Sequence, residues 1–106
     1  MSQHKIVVYV PVTHADAVRD AMGSAGGGRL GHYVCCSFSV RGIGRFRPEP
    51  GAHPAIGQVG ELEAVDEERI EVTCDSSRVE EVVAAILKAH PYEEPALDVW
   101  ALERWK

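Results

Sequence analysis

The sequence predicts an α+β domain of the ferredoxin-like kind, a βαββαβ sandwich. Three observations carry this: a β-branched run near the N-terminus, two segments with the period of an amphipathic helix, and short alternating stretches between and after them.

The run from Ile6 to Val12 is β-branched and aromatic, which reads as a central strand buried on both faces and stopped by Pro11. Thr13 offers a capping hydroxyl with Asp16 three residues on. Val18, Ala21, Met22 and Ala25 then recur along one helix face, so a helix is expected over about Ala15 to Ala25. Gly26-Gly27-Gly28 closes it. From His32 to Val40 a half-buried second strand is expected, with Val34, Cys36, Phe38 and Val40 on one face and Tyr33, Cys35, Ser37 and Ser39 on the other. Arg41 to Gly60 is rich in glycine and proline and reads as a long loop between strands two and three.

Glu61 to Val65 reads as a short strand, and Arg69 to Cys74 alternates, with Ile70, Val72 and Cys74 inward. Ser77 and Glu80 make a capping box for a second helix, whose stripe is Val79, Val82, Val83, Ile86 and Leu87 and whose end is set by Pro91. Leu97 to Leu102 gives the fourth strand. Two split crossovers on one antiparallel sheet satisfy this order.

At 106 residues, the chain is expected to form one domain, residues 1–106, able to build a core without disulfides. Its 45% hydrophobic and 25% charged residues are those of an ordinary globular protein. The net charge of -5, with basic residues scattered and densest only at Arg41, Arg45 and Arg47, argues against a nucleic-acid partner. No apolar run is long enough for a membrane span or a signal segment, so a cytoplasmic location without membrane association is expected. Cys35, Cys36 and Cys74 form no C-x-x-C pair and read as small buried hydrophobes. Of the three, only Cys35 is placed to point outward as a nucleophile.

Chemistry-bearing residues gather in two places. His90-Pro91-Tyr92-Glu93-Glu94-Pro95 brings an imidazole, a phenol and two carboxylates into one turn, enough for a polar ligand or a metal. The same residues also serve simply to shape the turn into the last strand. Gly42-Ile43-Gly44-Arg45-Phe46-Arg47 lets backbone N–H groups and arginines approach an anion, or forms a bulged hairpin. It joins strand to strand, so it is neither a phosphate-binding P-loop nor a dinucleotide fingerprint. His53 and His90 are the candidate ligands for a divalent metal, with His32, Cys35 and Cys36 as further donors. The acidic residues Glu61, Glu63, Asp66, Glu67 and Glu68 read as a solvated hairpin.

The His90–Pro95 turn resembles the His-Pro-Tyr-Glu-x-Pro signature of the CutA family. Tyr9-Val10-Pro11, Ala25-Gly26 with Gly31-His32-Tyr33, Cys36-Ser37-Phe38, Gly42-Ile43-Gly44-Arg45-Phe46-Arg47-Pro48, Pro54-Ala55-Ile56-Gly57 and Glu68-Arg69-Ile70-Glu71 together resemble the PII/CutA-like domain inserted in NGG-interacting factor three (Nif-three-like, YqfO-type) proteins, over nearly the whole chain. That resemblance implies a homo-oligomer, a trimer first, with ligands in clefts between subunits. It also implies that the two-metal site of longer members belongs to a flanking domain, so a hydrolase label does not transfer. The expected function is ligand sensing or scaffolding without catalysis, for a small-molecule or protein ligand, through Gly42, Gly44, Arg45, Arg47, His53, His90, Tyr92, Glu93 and Glu94. The alternatives are a CutA-like divalent-metal protein and a small enzyme with Glu93 or Glu94 as acid or base beside Tyr92.

Overall fold

The structure, a computed structural model, describes residues 2–103. Its elements are β1 (Gln3–Pro11), α1 (Ala15–Ser24), β2 (Phe38–Phe46), β3 (Glu63–Asp75), α2 (Val79–Ala89) and β4 (Leu97–Leu102). The strands form one sheet in the order β2-β3-β1-β4, each neighbour antiparallel. This is the α+β, ferredoxin-like βαββαβ arrangement. β1 and β2 run parallel with β3 between them, and β3 and β4 run parallel with β1 between them, so each helix bridges a split pair.

Both helices lie on one face. Ile6, Val8 and Val10 of β1 and Ile70, Val72 and Cys74 of β3 meet Val18 and Met22 of α1 and Val82 and Ile86 of α2 in a closed core. Burying each of these larger side chains contributes about 2 kcal/mol against leaving it in water. Arg19 ties α1 to the sheet by donating to Ser39 Oγ and by pairing with Glu68. β1 is central, and it is flanked by Pro11, which is fully buried where the strand stops.

The second strand begins later than expected. Cys35 has φ 58°, which a strand cannot hold, and Cys36 N–H donates to the Gly28 carbonyl at 2.8 Å while Gly28 N–H donates to Thr73 O at 2.8 Å. Residues 29–37 are thereby fastened as a loop, and pairing starts only at Phe38. Val34, Phe38 and Val40 are exposed, so the expected half-buried stripe is absent. Arg41–Phe46, expected in the loop, belongs to β2, because β3 offers it a continuous partner from Glu63 to Glu71 and pairing outweighs the glycines' weak strand preference.

β3 is one strand of 13 residues rather than a short strand and a separate one. Asp66, Glu67 and Glu68 are paired strand residues, not a solvated hairpin. Neither Thr13 nor Ser77 caps a helix through its side chain; a single 3₁₀ turn precedes each helix instead, at Val12–His14 and Ser76–Arg78. Only Cys74 is a buried cysteine: Cys35 is exposed and Cys36 half-buried.

Because β1 reaches β3 only as far as Glu67, the β2–β3 ribbon projects beyond it. The molecule measures 48 × 23 × 22 Å, with a radius of gyration of 14.7 Å against about 13 Å for a compact chain of this length.

Candidate functional site

Successive strand residues face opposite sides, so the register that sends Ile70 and Val72 to the core sends Glu67 and Arg69 to the face without helices. Val40, Arg69 and Tyr9 lie side by side across that face, and Gly42, Glu67 and Pro11 form the next row. Two loops rise beside these rows: the segment after β2, and the turn between α2 and β4. They enclose a groove of about 610 Å³.

The turn is held from beneath. Pro91 forbids helical geometry at His90, whose ψ is 136°. His90 is 7% exposed, and both ring nitrogens are used: Nε2–H donates to the Tyr9 carbonyl at 2.7 Å, and Nδ1 accepts from the Tyr92 N–H at 3.1 Å. This sets one tautomer. Burial pushes the His90 pKa below its ordinary 6.5, against the opposing pull of the Tyr9 carbonyl and the Glu67 charge. The neutral ring packs against Tyr92 with centroids 5.0 Å apart.

Tyr92 reaches across to the sheet, where its hydroxyl donates to Glu67 Oε2 at 2.8 Å and its ring meets Phe46 edge-on at 5.7 Å. Burial, and then the hydrogen bond to Glu67, push the phenol pKa far above its usual range, so it remains a donor. Glu67 is 8% exposed, a carboxylate on the floor of the groove. Its Oε1 lies where Gly44 has no side chain; a Cβ at Gly44 would come within 2.0 Å of it. Gly44 is therefore required by close approach of Glu67, not by an unusual backbone angle.

The loop is ordered by its own backbone. Ala52 N–H donates to Glu49 O at 3.0 Å, Gly60 N–H to Pro48 O at 2.8 Å, and Glu61 N–H to Gln58 O at 3.1 Å. His53 N–H donates to Glu93 Oε1 at 2.8 Å, joining loop to turn.

The structure thus brings the two sequence candidates together. Gly42, Gly44, Arg45, Arg47, Tyr92, Glu93 and Glu94 line the groove, His53 stands at its rim, and His90 lies under Tyr92 without lining it. His32, Cys35 and Cys36 do not line it. Three lining residues with polar side chains were not among the candidates: Glu67, Arg69 and Tyr9. Alternation carried back from Ile70 would have put Glu67 on the face of Arg69 and Glu71.

A divalent metal does not fit these residues as they stand. Both His90 nitrogens are spent, and no three His, Cys, Asp or Glu side chains cluster among the described residues. No helix of the described residues is long and apolar enough to cross a membrane.

The fold and its groove define a PII/CutA-like module. CutA from Archaeoglobus fulgidus, a periplasmic divalent cation tolerance protein, superposes with a TM-score of 0.69 over 98% of this chain and 87% of its own, at 17% identity; CutA from Xylella fastidiosa gives 0.70 at 12% identity. These likenesses are of fold alone. No protein-family model matches the chain. A protein of Halalkalibacterium halodurans named GTP cyclohydrolase 1 type 2 homolog is 50% identical over 101 residues, and its namesake in Bacillus subtilis is 48% identical over 100. The crystal structure of a Bacillus cereus protein related to NIF3 matches with a TM-score of 0.84 at 46% identity, over 97% of this chain and 26% of that one. Over nearly its whole length the chain is similar to one segment of each of these longer proteins. It spans about a quarter of the length of the relatives it matches: 95% of this chain aligns with 27% of the Halalkalibacterium protein.

Proposed function

We propose that this chain is a ligand-sensing or scaffold module without catalysis of its own, which takes a small molecule in the groove and assembles into a trimer. The observation that carries the ligand reading is the groove itself. It has the size and mixed lining of a small-molecule site, and it is bounded by two segments tied through His53 and Glu93, so a molecule touching one is felt by the other. Glu93 and Glu94 as catalytic groups beside Tyr92 are not favoured, since the hydroxyl of Tyr92 is already committed to Glu67.

Self-association is supported by the helix-free sheet face, where Phe38 is 65% and Trp100 43% exposed, and by the projecting ribbon, with Ile43 and Leu62 also exposed. What the name of the longer relatives suggests is said of whole proteins, and no reading of this groove requires it.

The test has two parts. Sedimentation velocity with native mass spectrometry is expected to give a trimer, and a monomer at micromolar concentration overturns the assembly. Amide NMR of the labelled chain against mixed polar and apolar small molecules is expected to shift Gly42, Gly44 and Tyr92 together. A library that leaves all three unmoved overturns the ligand reading.

A further inference from the structure

Glu67 and Arg69 stand on the groove face of β3, two residues and about 6.6 Å apart at the usual strand rise. They do not pair with each other, although neighbouring charges on the sheet and helices do find partners. Glu68 pairs with Arg19, Glu71 with Lys5 and Glu81 with Arg78. Glu67, although buried, has no cationic side chain within 4.0 Å among the described residues; Tyr92 serves Oε2, and nothing bonds Oε1. Arg69 pairs loosely with Glu71 at 3.6 Å and its side chain is 41% exposed, while its buried Nε has no partner among the described residues.

Glu67 Oε1 and Arg69 Nε each keep unused hydrogen-bonding capacity, and they sit side by side on one strand face without serving one another. What satisfies both is a molecule carrying a positive donor and a negative acceptor at one end. Farther along β2 and in the loop after it, Phe46, Pro54 and Ile56 line the groove and offer apolar contact. Gly42, directly beside Glu67, leaves space, with nothing within 4 Å of where its Cβ would be.

We infer that the groove binds a free α-amino acid with an apolar side chain, its ammonium on Glu67 Oε1, its carboxylate on Arg69 and its side chain against Phe46 and Ile56. Charge-assisted hydrogen bonds at both ends give the selectivity, because a molecule lacking either charge leaves one group unserved. This rests on the groove being a small-molecule site, and the experiment separates the two.

The probes are L-leucine and L-phenylalanine, with 4-methylpentanoic acid and 3-methylbutylamine as versions lacking one charge, titrated into the labelled chain and followed by NMR and calorimetry. One of the amino acids is expected to shift Gly42, Gly44 and Tyr92, and its one-charge analogue to bind about tenfold more weakly or worse. Glu67→Gln and Arg69→Met are each expected to lose a similar factor. Gly42→Leu, whose Cβ would meet nothing within 4 Å, is expected to abolish binding with an unchanged circular dichroism spectrum. A one-charge analogue that binds as well as its amino acid overturns the inference, as does amino-acid binding indifferent to Glu67→Gln. If neither amino acid moves these amides but another small molecule does, the inference falls and the groove stands as a ligand site. If no probe reaches them and Gly42→Leu alters sedimentation instead, a second copy fills the groove and both readings fall.

Discussion

Three glycines that look alike in the sequence have different reasons to be glycine, and the differences are measurable. At Gly28, φ is +84° and an added Cβ would meet the Cys36 carbonyl oxygen at 2.2 Å, a backbone atom that cannot swing away. Gly28→Ala is expected to cost about 2 kcal/mol or more, read as a lower urea midpoint at unchanged slope. Gly44→Ala meets Glu67, the end of a side chain, and is expected to cost about 1–3 kcal/mol by pushing the carboxylate off Tyr92. Gly42→Ala meets nothing and is expected to stay within about 0.5 kcal/mol of the parent. Tyr92→Phe removes the donor to Glu67 and leaves a buried oxygen unserved, which costs about 1–3 kcal/mol in the same assay. His90 adds a pH dependence. Its folded pKa lies below 6.5, so it favours the folded state fully above that pH, and the contribution is lost as pH falls through the lowered folded value. Melting temperature is expected to drop below pH 6.5, with that part of the drop missing in His90→Gln.

At the scale of elements, the helices and β4 were legible because their signals are local. Leu97–Leu102 alternates within itself, and Val82 and Ile86 share a helix face whatever lies elsewhere. β2 was not legible in the same way. Its ends are set by Cys35, whose left-handed backbone nothing in the residue type announces, and by β3, a partner 13 residues long. The charged triplet Asp66-Glu67-Glu68 looked like a break in β3 because two of its carboxylates meet residues distant in the chain: Glu68 pairs with Arg19 on α1, and Glu67 accepts from Tyr92 in the turn. The site shared that fate in part. Its two loops were visible as chemistry, while its floor was hidden inside a strand. Arg19→Met removes three partners from one side chain, Asp16, Ser39 and Glu68, and is expected to cost roughly 1 kcal/mol and to loosen α1. Hydrogen exchange in Ala15–Ser24 should quicken before that of β1.

For the whole molecule, elongation and exposed apolar area go together. A chain whose β2–β3 ribbon extends past its own core leaves side chains such as Ile43 and Leu62 without cover. If copies supply that cover, the folded state is linked to concentration, and a hundredfold dilution is expected to lower the melting temperature by several degrees. A midpoint independent of concentration would mark the uncovered residues as surface of the single chain.

The register of β1 against β4 places Gln3 opposite Leu102, so the two ends of the described chain lie on neighbouring strands, about 5 Å apart between paired Cα atoms. A unit built this way occupies almost no length in a host: it can hang from a single surface loop, leaving the host on either side in its original place. Relatives roughly four times as long are what such a unit permits. In a longer protein carrying such a unit, a movement between β1 and β4 would reach the rest at one point, as a twist of a two-stranded stalk rather than a pull between distant anchors.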